Sequence, residues 1–196
     1  RIEDHDRARC RRAFDAGLRE DLEWLGFLPD GDVVRQSERD ARYSEALARL
    51  AASGRVYACN CTRSQLRAET DVAPGEEPRY PGTCRDRGLP DEASSLRRVR
   101  LDAEDIPFVD LRRGACTQRP AEQCGDLLVR DRAGNWTYQF AVVVDDLDQG
   151  VDVVIRGEDL LASTGRQIQL AAMLGRTTPP RFLHHGLIRR PDGRKL

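Results

Sequence analysis

The sequence predicts an α/β protein that carries a small, metal-braced, β-rich insert. Apolar residues recur at helical spacing in two stretches before residue 54, and strand-like and helical stretches alternate again after residue 138. Between them, Tyr57-Ala58-Cys59-Asn60-Cys61-Thr62-Arg63 and Tyr80-Pro81-Gly82-Thr83-Cys84 set thiols and a phenol at metal-ligand spacing. With 196 residues and 39% hydrophobic content, the chain can bury one core, or one domain with a sizeable insert.

The elements follow in order. Arg1-Ile2 reads as the end of a strand, and Asp4 or Asp6 as the cap of a helix carrying Cys10, Phe14, Leu18, Leu22 and Leu25 up to Gly26. Ser37 with Asp40 resembles a capping box for a second helix, with Ala46, Leu47, Leu50 and Ala51 on its apolar stripe and Gly54 at its end. Val56-Tyr57-Ala58 is a short strand, and Thr62 caps a brief helix from Ser64 to Ala68. From Glu69 to Pro90 the Pro, Gly and charge content marks a loop in need of a tether.

Leu96 to Leu101, Phe108 to Leu111 and Leu127 to Arg130 read as strands, and Asp131 to Asn135 turns the last of them toward Trp136. Periodicity alone leaves the apolar run from Phe140 to Val144 undecided between helix and strand. Val151 to Ile155 reads as a buried strand, and Thr164 caps a helix holding Ile168, Leu170, Ala171 and Leu174.

The charge balance is near neutral, yet of 32 basic residues only Lys195 is lysine. Arginine favours carboxylate and phosphate recognition, although a merely solvated charged surface explains the same counts. No run approaches the roughly 18 apolar residues of a membrane helix, and nothing at the start reads as a signal peptide, so a cytoplasmic protein without membrane contact is expected. The chain begins at Arg1 without Met and stops after Lys195-Leu196, which suggests a piece of a longer protein.

Cys59, Cys61 and Cys84 supply three sulfurs for a tetrahedral zinc, with Tyr80, Cys116 and Cys124 as candidates for the fourth position. A bonded Cys-x-Cys pair would be strained, and a reducing compartment favours metal over disulfides. The competing reading is free thiols in a small core. No general base accompanies the cysteines, so the expected zinc is structural.

Five segments, Arg1-Ile2-Glu3-Asp4, Tyr57 to Arg63, Trp136 to Asp146, Val154 to Leu161 and Gly193 to Leu196, resemble in order those of class I glutamyl-tRNA synthetases. The resemblance spans nearly the whole chain. It implies a Rossmann-like catalytic domain over 1–57 and 138–196, interrupted by a zinc-binding insert over 58–137, and an ATP-dependent ligase. Glu3, Tyr138 and Arg156 match positions that bind L-glutamate, Glu3 most naturally through the α-ammonium. Gly157 and Lys195 match ATP-binding positions, and ATP would act with Mg2+.

His184 matches a strand histidine, whereas His185-Gly186 departs from the family pattern and unsettles the expected loop shape. Asp145-Asp146 is read as structural, and Glu158 and Asp159 as helix-capping. The nucleotide signature, a substrate-reading arginine and a second ATP-loop lysine would lie outside Arg1 to Leu196, so the chain as given is not expected to be catalytically competent.

Cys59-Asn60-Cys61-Thr62-Arg63 together with Tyr80 and Cys84 looks most like the short branch of the family, which lacks an anticodon-binding domain. That branch implies transfer of glutamate to queuosine in the anticodon of tRNA(Asp), by a monomer. Two alternatives stand beside it: the catalytic part of an ordinary glutamyl-tRNA synthetase, and a non-catalytic zinc-stabilised RNA-binding module. A purely structural cysteine domain is a third.

Overall fold

Two helices come first, as the apolar spacing predicts. The computed structural model describes residues 1–6, 10–69, 77–92 and 94–194. Helix α1 (Arg12–Trp24) begins later than expected, with Arg11 at its N-cap and no side-chain cap. Asp4 instead accepts hydrogen bonds from the Ser37 backbone N–H and Oγ, at 2.9 and 2.7 Å, which ties the first residues to the start of the second helix. Helix α2 (Asp40–Ala52) has Arg39 rather than Ser37 at its N-cap and buries Tyr43, Ala46 and Leu50 on one face. Gly26 and Gly54, at φ 82° and 70°, provide the left-handed residues that follow the two helices.

Strand β1 (Val56–Cys59) is followed by helix α3 (Arg63–Glu69). Thr62 caps α3 as expected and does so reciprocally: Thr62 Oγ1 accepts from the Gln65 backbone N–H at 3.2 Å, and Gln65 Oε1 accepts from the Thr62 N–H at 2.7 Å. Strand β2 (Leu96–Val99) pairs antiparallel with β1 on one side. Its other neighbour, also antiparallel, is the later strand of residues 127–130.

Strand β3 (Ile106–Asp110) and strand β4 (Gly114–Gln118) form an antiparallel hairpin. Sequence reasoning did not find β4 or the single-turn helix α4 (Pro120–Gln123), because neither is long or periodic enough to be read. Strand β5 (Leu127–Arg130) completes the β1-β2-β5 sheet, and a turn with an Asp131–Asn135 hydrogen bond returns the chain to an antiparallel bridge between Arg130 and Trp136. The undecided apolar run is helix α5 (Tyr138–Asp148), which buries every residue from Phe140 to Asp145.

Strand β6 (Val153–Gly157), a 3-10 segment over Glu158–Ser163, helix α6 (Thr164–Met173) and strand β7 (Arg181–His185) follow. Strands β6 and β7 are parallel neighbours joined through α6, and β3 lies parallel to β7 on its other side, giving the order β4-β3-β7-β6. The β3-β4 hairpin falls inside the stretch expected as the insert, yet it extends the sheet formed by β6 and β7, so that sheet crosses the expected boundary near residue 138.

The main core joins the β1-β2-β5 sheet to α2, α5 and α6, with Tyr43, Leu50, Val99, Val129, Phe140 and Leu170 fully or almost fully buried. Trp136 stacks on Phe140 at 5.3 Å between ring centroids, and its indole N–H donates to Asp40 at 2.9 Å. A smaller apolar group is built around Cys59, Leu66, Tyr80 and Cys84. Among the described residues no helix is long and apolar enough to cross a membrane.

Candidate functional site

The cysteine corner is made by the end of β1 and the loop that begins at Tyr80. The ligand atoms of Cys59, Cys61 and Cys84 lie within 4.8 Å of one another, and the Cys61 and Cys84 sulfurs are 3.6 Å apart. Sulfurs held tetrahedrally about 2.3 Å from one zinc stand roughly 3.8 Å apart, so this spacing fits a metal. The Tyr80 hydroxyl is 3.5 Å from the Cys59 sulfur and accepts the Cys84 backbone N–H at 2.8 Å. Cys116 and Cys124 lie apart from this group: Cys116 is on β4, and the buried Cys124 thiol donates to the Pro120 carbonyl at 3.2 Å.

Local structure explains why Tyr80 reaches the corner. Its backbone N–H donates to the Cys124 carbonyl at 2.9 Å, and Gly125 follows at φ 68°. A Cβ at Gly125 would collide with the Tyr80 carbonyl, so both the backbone conformation and the close approach require glycine.

Without a metal, burial and then the bond with Cys84 push the Cys61 thiol up to about 11. Burial acts the same way on Cys84, but hydrogen bonds from Asn60, Cys61 and Tyr80 outweigh it and bring that thiol to about 7. Burial and the neighbouring Cys59 thiol raise the Tyr80 phenol as well, so only a cation can hold it as phenolate.

The second assembly is centred on Arg156, the penultimate residue of strand β6, next to Gly157. Its guanidinium is 9% exposed and donates from Nε to His184 Nε2 at 3.0 Å, from Nη1 to Gln167 at 2.6 Å and from Nη2 to Thr164 at 3.0 Å. An arginine Nε only donates, so His184 Nε2 accepts and the imidazole proton sits on Nδ1. That proton is donated to Asp110 at 2.6 Å. Asp110 also accepts the backbone N–H groups of Arg112, Arg113 and His184; against burial, the His184 side-chain bond and then these three hold its carboxyl below the usual range.

Glu3 and Tyr138 converge on the same place. Tyr138, half-buried at the start of α5, interacts with both Glu3 and Arg156, and burial followed by the Glu3 charge raises its phenol. Burial lowers the Arg156 guanidinium despite the opposing influence of Tyr138, Asp146 and Glu3. Glu3 itself is held by Arg1 at 3.1 Å, with 41% of its side chain exposed. Of the three residues expected to bind glutamate, Tyr138 on α5 and Arg156 on β6 interact, and the Glu3 charge from the chain start acts on both.

The remaining expected residues fall around this centre. Gly157 closes β6, and a side chain there would crowd Asp159 and Leu187. Lys195 lies outside the described residues. Asp145 is fully buried and accepts from Tyr43, Gln36 and Arg39 at 3.0, 2.8 and 2.7 Å, which gives it a structural role. Asp146 pairs with Arg1 at 2.5 Å, and Glu158 opens the 3-10 segment while accepting from Arg113 at 2.8 Å.

Sequence reasoning missed Asp110, Thr164 and Gln167 as members of this centre. Asp110 had a readable signal, since it occupies the third inward position of β3 after Ile106 and Phe108, where an apolar residue is expected. Thr164 and Gln167 share one face of α6, three residues apart, and carry no signal beyond that spacing.

The family model for the catalytic domain of class I tRNA synthetases of the E and Q type matches residues 1–196. The chain belongs to that family. Among curated members, it is 45% identical over 197 residues to the glutamyl-Q tRNA(Asp) synthetase of Ectopseudomonas mendocina, covering 100% of this chain and 64% of that protein. It is 45% identical over 202 residues to the protein of the same name from Geobacter sulfurreducens, covering 63% of it.

A solved class I synthetase, the glutamate tRNA ligase of Elizabethkingia meningosepticum in complex with its amino acid, superposes with a TM-score of 0.81 at 27% identity, covering 100% of this chain and 44% of that one. The chain therefore spans a little under two thirds of the length of these curated class I relatives. Membership accounts for the parallel β-strand core with Arg156 at the carboxyl end of β6, where open α/β sheets bind ligands.

Proposed function

We propose that this chain is the glutamate-binding part of a ligase that activates L-glutamate with ATP and passes it to queuosine in the anticodon of tRNA(Asp). One observation carries the first half of this reading. Arg156 is buried, yet its direct hydrogen-bond partners are the neutral groups of His184, Gln167 and Thr164. A buried guanidinium calls for an anion to offset its desolvation; the Glu3 and Asp146 charges act on it without a direct hydrogen bond, and a substrate carboxylate would add that bond. Three of its five N–H donors are engaged by those partners, which leaves donors for a carboxylate clamp.

In this reading the Asp110–His184 pair fixes the plane of the guanidinium, Tyr138 adds a hydroxyl donor, and Glu3 receives the α-ammonium. Activation joins the glutamate α-carboxylate to the α-phosphorus of ATP and releases pyrophosphate. The chain's own contribution is to hold the carboxylate in line for attack. Gly157 and Lys195 are assigned to ATP, which acts with Mg2+.

Cys59, Cys61, Tyr80 and Cys84 are assigned as the ligands of a structural zinc, which would supply bracing for the segment between β1 and β2 and no chemistry on the substrate. The queuosine acceptor rests on the names of the relatives at 45% identity. A monomeric, cytoplasmic protein completes the proposal.

Glutamate-dependent ATP–pyrophosphate exchange by the complete protein, without and then with tRNA, tests it. Exchange without tRNA, followed by labelling of queuosine-containing tRNA(Asp) at the anticodon, supports the proposal. A strict tRNA requirement with labelling at the 3′ end supports an ordinary glutamyl-tRNA synthetase. No exchange under either condition overturns the enzymatic reading.

A further inference from the structure

A relay of side-chain amides runs from the Arg156 fork into the starts of two helices. Arg156 donates from Nη1 to Gln167 Oε1 at 2.6 Å. The same Gln167 amide donates from Nε2 to Gln139 Oε1 at 2.7 Å, and Gln139 donates from Nε2 to Ser163 Oγ at 2.8 Å. Gln167 and Ser163 are each 6% exposed, and Gln139 is half-buried on α5 beside Tyr138. Each amide nitrogen and oxygen of the two glutamines is therefore engaged.

The direction of the relay is fixed at its Arg156 end. An arginine Nη only donates, so Gln167 has to present its oxygen to Arg156 and its NH2 group to Gln139. Gln139 in turn presents its oxygen to Gln167 and is left to donate to Ser163. The terminal torsion of a glutamine is broad and roughly two-fold, so an amide without such partners has no preferred setting. Here the chain of donors selects one setting for both glutamines.

The charge of Gln167 matters as much as its geometry. A carboxylate of the same length would reach Arg156 equally well, yet it would neutralise the guanidinium from within. The amide holds Nη1 in place and leaves the positive charge for another anion. Thr164 and the Nε2 of His184 hold Nη2 and Nε on the same neutral terms.

We infer that Gln139 is a positioning residue for glutamate recognition, acting through Gln167 to aim the Arg156 fork, and that the neutrality of Gln167 reserves the Arg156 charge for the substrate carboxylate. This inference rests on the assignment of Arg156 to glutamate.

Two substitutions separate orientation from charge, read in glutamate-dependent ATP–pyrophosphate exchange by the complete protein. Gln139→Met keeps the side-chain length and removes the acceptor. It should raise the glutamate KM roughly fivefold, with kcat and the ATP KM within about twofold of the parent. A residue that only ties α5 to α6 would lower the melting temperature and kcat without singling out glutamate. Gln167→Glu changes the charge and leaves the relay bonded, since Gln139 can turn its amide over and accept from the Ser163 hydroxyl. It should raise the glutamate KM at least about tenfold, with the melting temperature at or above that of the parent.

An unchanged glutamate KM in Gln139→Met, or a loss there that falls equally on ATP, overturns the inference. A rise of less than about tenfold in Gln167→Glu, or a rise accompanied by a lower melting temperature, does so as well. Arg156→Ala in the same assay keeps the two levels apart. With exchange abolished in Arg156→Ala, such results strike the relay alone; exchange at the parent rate strikes the glutamate assignment and the relay together. Should Gln139→Met fail to fold, Ser163→Ala, which removes the last acceptor of the relay, must raise the glutamate KM about twofold, and no change there overturns the inference too.

Discussion

The cysteine corner and the Arg156 centre lie in one small protein and were legible to very different degrees. Cys59 and Cys61 have one residue between them, and Tyr80 and Cys84 have three, so two short motifs carry the donors, and the Tyr80 N–H bond to the Cys124 carbonyl helps to seat the second beside the first. Arg156, Asp110, Gln167 and His184 come from β6, β3, α6 and β7, and only the parallel pairing of β6, β7 and β3 makes them neighbours. The corner is built from two short motifs, each legible on its own in the sequence. The arginine centre is built by topology, and ordinary residue types at ordinary positions serve it.

Perturbing the two regions should therefore give separable outcomes. The largest effect is expected at the corner. Cys61→Ala should lose bound zinc and cost on the order of 5 kcal/mol of stability where a structural metal organises the segment. Metal analysis together with chemical denaturation reads both, and normal zinc with unchanged stability would remove Cys61 from the ligand set.

Just before β5, Asp126→Asn should cost roughly 2–4 kcal/mol, because it breaks a fully buried carboxylate's bonds to Tyr57, Arg85 and Leu101. Thermal melting of the variant at neutral pH checks this.

Asp110→Asn sharpens the comparison from the other side. It should leave zinc untouched but loosen His184 and hence Arg156, raising the glutamate KM of the complete protein roughly tenfold, equivalent to about 1.4 kcal/mol. A change in zinc content, or an unaltered KM, would show that the two regions are not divided as described.

Acid should act on both together. Asp110 and Asp126 have carboxyl groups held below their ordinary value of 3.8 in the folded protein. Their stabilisation is therefore complete above that value and is lost as pH falls below it. Melting temperature should stay level from neutrality to about pH 5 and drop below about pH 4, and Asp126→Asn should blunt the drop. The smallest effect is expected from Thr62→Ala, about 1 kcal/mol for loss of the α3 cap beside the corner.

The same division explains what the sequence disclosed of the fold. Helix α2 and strands β1, β2 and β5 were readable because apolar spacing and Gly punctuation agree with the tertiary burial. The run from Phe140 to Val144 was unreadable because it is buried on all sides as part of α5, which erases the periodicity that distinguishes helix from strand. Ser37 was misplaced as a cap because its hydroxyl serves Asp4 instead, a contact between partners 33 positions apart. Arg156 was singled out through its surrounding motif, whereas its supports were not, since a Thr on a helix and a carboxylate at a strand end are also common structural residues.

The central claim is that glutamate recognition belongs to Arg156 and is separable from the metal corner. Glutamate-dependent ATP–pyrophosphate exchange by the complete protein bearing Arg156→Ala, with zinc measured on the same sample, tests it most directly. The expected result is exchange reduced to background with zinc content and melting temperature as in the parent protein. Exchange at the parent rate in a folded, zinc-bearing Arg156→Ala protein would contradict it.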